Sequence, residues 1–323
     1  MRLIIAVTAV LFAAQAAFAA PLKEHFAVET NYNGQRSKVS VHTVFPDIGL
    51  DKYPVMFIVH GSGGQSHSRE LWYAQKLAEL GVWSVITDHF RYRGVESTAY
   101  DQAAVSTDNM VYDAFKVLDR IAENPKVDMS RVGIMGFSKG GSTSLHAAIP
   151  SVIKQYSENG HRFALHIPLY PGCTNQYFDT NAPAPIYMLL GGKDDYADPN
   201  VCLSYAKKFE AKGSKIKTIV YPEGLHAWDS TKEEVIYDRR IQNYAKCVME
   251  QQADGSWKES LTGLTVMSAG MGLNPRANIP ANMGRAMGAC RTYGAHYGGN
   301  ADVKYDALWD IKKIVETEFG LAQ

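Results

Sequence analysis

Six largely apolar runs of strand length, each followed by a turn or a polar loop, constrain this chain more than any other feature. They are residues 54–59 (PVMFIV), 82–87 (VWSVIT), 132–136 (VGIMG), 163–168 (FALHIP), 185–190 (PIYMLL) and 216–221 (IKTIVY). A strand that is apolar on both sides must be covered on both sides, and a parallel sheet between two layers of helices does this. Stretches with helical spacing lie between the runs. Leu71, Ala74, Ala78 and Leu80 form one apolar stripe. Val111, Phe115, Leu118 and Ile121 form a clearer one, behind Asp108 as the N-cap candidate. Residues 201–212, with Pro199 ahead of them, read as a further helix. The alternation predicts an α/β protein with a doubly wound, mostly parallel sheet and helices on both faces. Ligands of such sheets bind beyond the carboxyl ends of the strands, so the chemistry is sought just after the apolar runs.

The N-terminus MRLIIAVTAVLFAAQAAFAA has a short basic start, an apolar run and the small-residue pattern Ala17-Phe18-Ala19. This layout predicts a signal peptide over residues 1–19 and export to a periplasmic or extracellular location. A membrane anchor is the competing reading of the run. No later stretch is long and apolar enough to span a bilayer, so no stable membrane insertion is expected. Residues 20–323 are predicted to form a single domain. Within it, residues 254–300 are rich in Gly, Ala, Asn and Met with little periodicity, and are predicted to be irregular. A loop of that length is usually functional or disordered, and a cover over the site is one reading of it. Residues 301–323 are predicted to close the chain as a helix, with Ala307, Ile311, Ile314 and Val315 as its apolar face. The formal net charge is zero, so nothing in it suggests nucleic acid as a partner. The four cysteines, Cys173, Cys202, Cys247 and Cys290, are an even number in a chain predicted to be exported, which favours two disulfides. Three pairings are open. A zinc site is the competing reading, but no Cys-x-x-Cys pair exists.

Four loops after apolar runs carry the candidate chemistry. Gly136-Phe137-Ser138-Lys139-Gly140 places a serine between a strand and a predicted helix over residues 139–148. The turn is tight enough that side chains at the two glycines would collide, and the hydroxyl would stand at a helix N-terminus. A serine N-cap in a glycine turn would look the same. His60-Gly-Ser-Gly-Gly64 can expose backbone N–H groups toward the strand ends. With the N–H of Lys139, that of Ser62 would form an oxyanion hole, and Gly63 is close behind. Gly191-Gly-Lys-Asp-Asp195 offers an acid to orient a histidine, either Asp194 or Asp195. Tyr221-Pro-Glu-Gly-Leu-His226 offers the histidine itself, although His60 and His89 also follow strands. His226 is preferred because Ser, then Asp, then His is the α/β-hydrolase order of a catalytic triad.

Taken together, VHGSGG (59–64), DHFRYRGVEST (88–98), RVGIMGFSKGG (131–141), YPGC (170–173), LLGGKDDYADPNVC (189–202) and YPEGLHAWD (221–229) resemble the dienelactone hydrolase family of α/β-hydrolases, in its secreted branch. The resemblance implies the α/β-hydrolase fold and covers most of the chain after the leader. The family's Gly-x-x-Asp pattern falls on Gly191 and Asp194, and its histidine on His226. It also implies a Cys173–Cys202 disulfide, which leaves Cys247 with Cys290. One departure is plain: the enzymes that give the family its name use a cysteine nucleophile, and this chain has Ser138, so dienelactone itself is not the expected substrate. Arg93 lies where relatives have an arginine and is a candidate for receiving an acidic substrate group, with pairing to a nearby acid as the structural alternative. Phe90, with Tyr92, Phe137, Tyr170 and Trp228, is a candidate for contacting an apolar acyl or aryl group, and core packing accounts for these aromatic residues equally well.

The expectation is therefore a serine hydrolase of a small-molecule ester or lactone, with no metal and no organic cofactor. Peptidase or acyltransferase chemistry on the same triad and a non-catalytic binding protein of the same fold are the competing readings.

Overall fold

The computed structural model describes residues 25–66, 68–269 and 279–321, so the predicted leader lies outside the described residues. The chain runs through β1 (His25–Tyr32), β2 (Gln35–Val44), β3 (Tyr53–Val59), α1 (Glu70–Ala78), β4 (Trp83–Asp88), α2 (Thr107–Ala122), β5 (Val127–Phe137), α3 (Lys139–His146) and α4 (Pro150–Tyr156). It continues through β6 (Leu165–Leu169), β7 (Asn175–Gln176), β8 (Ile186–Gly191), α5 (Pro199–Ala211) and β9 (Ile216–Tyr221). The C-terminal section holds β10 (Ile236–Asn243), β11 (Met249–Gln251), β12 (Trp257–Glu259), β13 (Thr265–Met267), α6 (Pro280–Cys290), β14 (Thr292–Tyr297) and α7 (Ala301–Phe319).

Among the described residues, eight strands form the main sheet in the order β1-β2-β4-β3-β5-β6-β8-β9. β1 and β2 are antiparallel to each other, as are β2 and β4. The pairings from β4 through β9 are parallel. The six apolar runs are β3, β4, β5, β6, β8 and β9, and β3 shows why they read as they do. Val55, Phe57 and Val59 pack with residues of α2, α3 and α5 on one face of the sheet, whereas Met56 and Ile58 pack with residues of α1 and α7 on the other. Burying a side chain such as Phe57 completely contributes about 1.5–3 kcal/mol.

The first strand pair did not emerge from the search for apolar runs, because β1 and β2 alternate and face solvent on one side. Its signal was Asn33-Gly34, whose positive φ values of 52° and 85° make the two-residue hairpin turn. Asp108 is not the N-cap of α2. Ser106 holds that place, its hydroxyl accepting from the Asn109 N–H at 3.1 Å, and Asp108 lies in the first turn. α1 ends at Ala78, so Leu80 falls beyond it.

The described part of residues 254–300 is not irregular: it includes β12, β13, α6 and β14. β13, β12, β11 and β7 form a small second sheet, and β10 pairs with β14. Strands of two or three residues are too short to show a period of two in the sequence, which is why this region looked featureless. The closing helix is α7. Disulfides join Cys173 to Cys202 and Cys247 to Cys290. They tie the loop after β6 to α5, and the segment before β11 to the end of α6. Bridges of this kind fit an oxidising compartment. Replacing Cys173 and Cys202 together by alanine is expected to cost about 3 kcal/mol of stability, read as a lower midpoint of urea unfolding.

Candidate active site

β3 and β5 lie side by side, with Val59 opposite Gly136. β4 is added on one side of this pair and β6 on the other. The chain direction across the sheet therefore reverses there, and the loops leaving β3 and β5 diverge around a crevice. Ser138 stands in that crevice, between the end of β5 and the start of α3. Its backbone has φ 54° and ψ −113°, a strained conformation that costs on the order of 1–3 kcal/mol. The glycines around it permit the close approach. A Cβ on Gly136 would lie 2.3 Å from the Gly140 carbonyl oxygen, and one on Gly140 would lie 2.2 Å from that of Val59. The Ser138 N–H donates to the Leu169 carbonyl at 3.0 Å, which anchors the turn to β6.

The structure brings together three of the residues read from the sequence. His226 Nε2 lies 2.9 Å from Ser138 Oγ, and His226 Nδ1 lies 2.8 Å from Asp194 Oδ2. The other oxygen of Asp194 accepts backbone N–H bonds from Tyr196 at 2.9 Å and Ala197 at 2.7 Å. These bonds point the buried carboxylate at the imidazole. Asp195 turns the opposite way. Its exposed carboxylate accepts from the backbone N–H of His296 and contacts His296 Nδ1 at 2.7 Å, tying this loop to β14. The loop carrying His226 is held from the same side, since Gly298 N–H donates to the His226 carbonyl and Asn300 N–H to that of Trp228.

His60 and His89 are buried elsewhere and serve the frame. His60 Nε2 accepts from the His89 N–H at 3.1 Å, and its Nδ1 faces the Gly61 carbonyl at 2.8 Å. Burial pulls the His60 pKa down to about 3, so the ring is neutral at ordinary pH. His89 sits between Thr87 and Asp113.

The two residues proposed as oxyanion donors flank the crevice. Lys139 is the first residue of α3, where helical bonding leaves the N–H free. Among the described residues, neither its N–H nor that of Ser62 has a hydrogen-bond acceptor. The Ser62 carbonyl accepts from the Thr98 N–H at 2.7 Å, and its hydroxyl donates to Gln102 Oε1 at 3.0 Å. The Lys139 side chain turns inward. Its Nζ donates to Thr98 Oγ1 and to the carbonyls of Gln102 and Val105 at 2.7–2.9 Å, and burial pulls its pKa down to about 7. One residue thus secures the 98–105 loop against the nucleophile turn.

Arg93 and Phe90 do not reach the site. Arg93 makes a two-pronged pair with the buried Asp113, at 2.8 and 3.0 Å, and donates to the His89 carbonyl at 2.6 Å. The structural alternative holds for it. Arg93→Met is expected to cost about 3 kcal/mol, because it strands a buried carboxylate. The check is urea unfolding together with KM for an acidic ester, which should not change. Phe90 is buried edge-on against His60. None of Phe90, Tyr92, Phe137, Tyr170 and Trp228 lines the cavity next to Ser138.

That cavity measures about 500 Å³, and Ser138, His226, Ser62 and Lys139 lie on its wall. Met249, Met267, Met283 and Met287 also line it. Three of these belong to residues 254–300, so this segment does contribute to covering the site. Cys173 and Cys247, one from each disulfide, also lie on the wall. Methionine is unbranched and adapts to irregular ligands. Nothing local in the sequence marked these residues as site residues, and Tyr196, packed edge-on 4.8 Å from the His226 ring, was missed for the same reason. Among the described residues, no group of three or more His, Cys, Asp or Glu side chains could hold a metal ion, and no helix is long and apolar enough to cross a membrane.

Comparison with known proteins agrees with this geometry at the level of fold and family. The curated Protein usf of Aquifex pyrophilus is 28% identical over 125 residues, 38% of this chain and 49% of that protein. The chain therefore spans about half the length of the curated relative it matches. The apo form of Thermogutta terrifontis esterase 2 superposes with a TM-score of 0.51 at 14% identity, over 64% of this chain and 85% of that one. The same esterase phosphoramylated by tabun gives a TM-score of 0.50 at 13% identity, with the same coverage. At such identities the likeness speaks for the fold alone, which is the α/β-hydrolase fold. The profile of the dienelactone hydrolase family matches residues 42–253, more than half of the chain and the part that carries Ser138, Asp194 and His226. On that match, the chain belongs to the dienelactone hydrolase family.

Proposed function

We propose that the protein is a serine hydrolase that cleaves a carboxylic ester or lactone through an acyl-enzyme, in an exported setting. The observation that carries this is the unbroken chain Ser138 Oγ–His226–Asp194, with contacts of 2.9 and 2.8 Å, opening on a cavity. Ser138 Oγ attacks the carbonyl carbon while His226 Nε2 takes its proton. Asp194 holds the other ring nitrogen protonated and stabilises the imidazolium that forms. The unpaired N–H groups of Lys139 and Ser62 receive the oxyanion. The imidazolium then gives its proton to the leaving alkoxide, and the alcohol departs. Water, deprotonated by His226, attacks the acyl carbonyl and releases the acid and the free serine.

A fluorophosphonate probe tests the reading directly. Peptide mapping is expected to find the label on Ser138 alone. Folded protein that takes up no label would favour a binding protein of this fold instead. Added alcohol that captured the acyl group in preference to water would favour an acyltransferase.

A further inference from the structure

The cavity beside the nucleophile is not apolar throughout. Ser138 caps α3, and Ser142 and His146 follow it at four-residue steps, all three on the cavity wall. One face of the helix therefore runs along the cavity for about 12 Å from Ser138 to His146 at about 1.5 Å per residue. His146 packs edge-on against Tyr177, which in turn lies close enough to Asp108 and Tyr32 to feel their charges. Asp108 and Tyr32 line the same cavity.

Two groups of this region have hydrogen-bonding capacity that the fold leaves unused. The first is Asp108, which is only 7% exposed. Its Oδ2 accepts from the hydroxyls of Tyr32 at 2.6 Å and Tyr156 at 2.7 Å. Among the described residues, its Oδ1 has no hydrogen-bond partner and no Lys or Arg pairs with the carboxylate. Burial raises its pKa, and the two tyrosine bonds oppose the rise. A place in the first turn of α2 suits a carboxylate, but it does not account for an unused oxygen at a cavity wall. The second is His146, 1% exposed, whose ring nitrogens make no well-formed hydrogen bond, although the Asn175 backbone lies within reach of a weak one. Burial lowers its pKa to about 4, and the Asn175 backbone opposes this. The ring is thus neutral, with one donor and one acceptor to offer.

We propose that Asp108 and His146 form the distal end of the substrate site and receive a hydrogen-bond donor, a hydroxyl or a protonated amine, carried at the far end of the ester's chain. This rests on the reading of Ser138 as the ester nucleophile. A terminal hydroxyl can donate to Asp108 Oδ1 and accept from the His146 ring, and an ammonium can donate to both. A methyl end would leave that oxygen on the cavity wall without a partner, and a carboxylate end would be repelled by it. Sites built to pair a substrate's polar group reject analogues that lack it.

The test is kcat/KM for p-nitrophenyl esters with straight acyl chains of graded length ending in methyl, hydroxyl, ammonium or carboxylate. At one chain length the hydroxyl- or ammonium-ended ester is expected to exceed its methyl-ended partner at least tenfold, with the carboxylate-ended ester poorest. Asp108→Asn should reduce the ammonium preference and Asp108→Leu should abolish both preferences. Equal rates across the end groups at every length would overturn the proposal, whatever the variants do. p-Nitrophenyl acetate, which carries no end group to pair with Asp108, reports on the nucleophile separately. If no ester is cleaved, the hydrolase reading fails and the subsite is judged by calorimetry with hexanol, hexanediol and aminohexanol. Tighter binding of the donor-ended compounds sustains it, and equal binding overturns it.

Discussion

Ser138→Ala is expected to lower kcat for ester hydrolysis by a factor on the order of 10⁴ or more while leaving the fold intact. In the proposed mechanism the serine hydroxyl is the atom that becomes acylated, and no neighbouring group can replace it. Ser142 Oγ is engaged with the carbonyl of Gly172 and with its N–H. The strained backbone at Ser138 is imposed by its surroundings, through the Leu169 carbonyl and the glycine contacts, so the substitution should not relax the turn. Turnover of p-nitrophenyl acetate and a thermal melt check the two halves of the expectation. A variant that melts like the wild type and retains its rate within tenfold would remove Ser138 from the mechanism.

Asp194→Asn is expected to lower kcat by about 10⁴, because a carboxamide can present its N–H₂ to His226 and favour the wrong ring tautomer. The two backbone N–H bonds from Tyr196 and Ala197 occupy one carboxylate oxygen. They would draw the amide oxygen of the variant to that side and turn its nitrogen toward the imidazole. Asp195→Asn makes the paired comparison. Its side chain is exposed and bonded to His296, so its rate should stay within a few-fold of wild type. Steady-state kinetics of the two variants on one ester decides the matter, and the reverse pattern would exchange the roles of the two aspartates.

The order of the site was legible in the sequence because each of its parts is local. An apolar run followed by a glycine turn marks a strand end, and four such ends supplied Ser62, Ser138, the Asp194–Asp195 pair and His226. The parallel sheet then had to gather those ends on one edge. Residues alone could not separate Asp194 from Asp195. Adjacent side chains diverge, and the one that meets His226 depends on where β8, β9 and β14 place their loops. Arg93 presented the same difficulty, since its partner Asp113 lies on another element.

Local patterning thus determined the fold class, the strand ends and the candidates for the triad. Tertiary structure decided which aspartate meets His226, that Arg93 pairs inward, and that methionines from the C-terminal section and Asp108 from α2 line the cavity. The physical reason is that a strand or turn is written in neighbouring residues. A cavity wall is written in side-chain directions from segments far apart in the chain, and those directions exist only once the elements have packed.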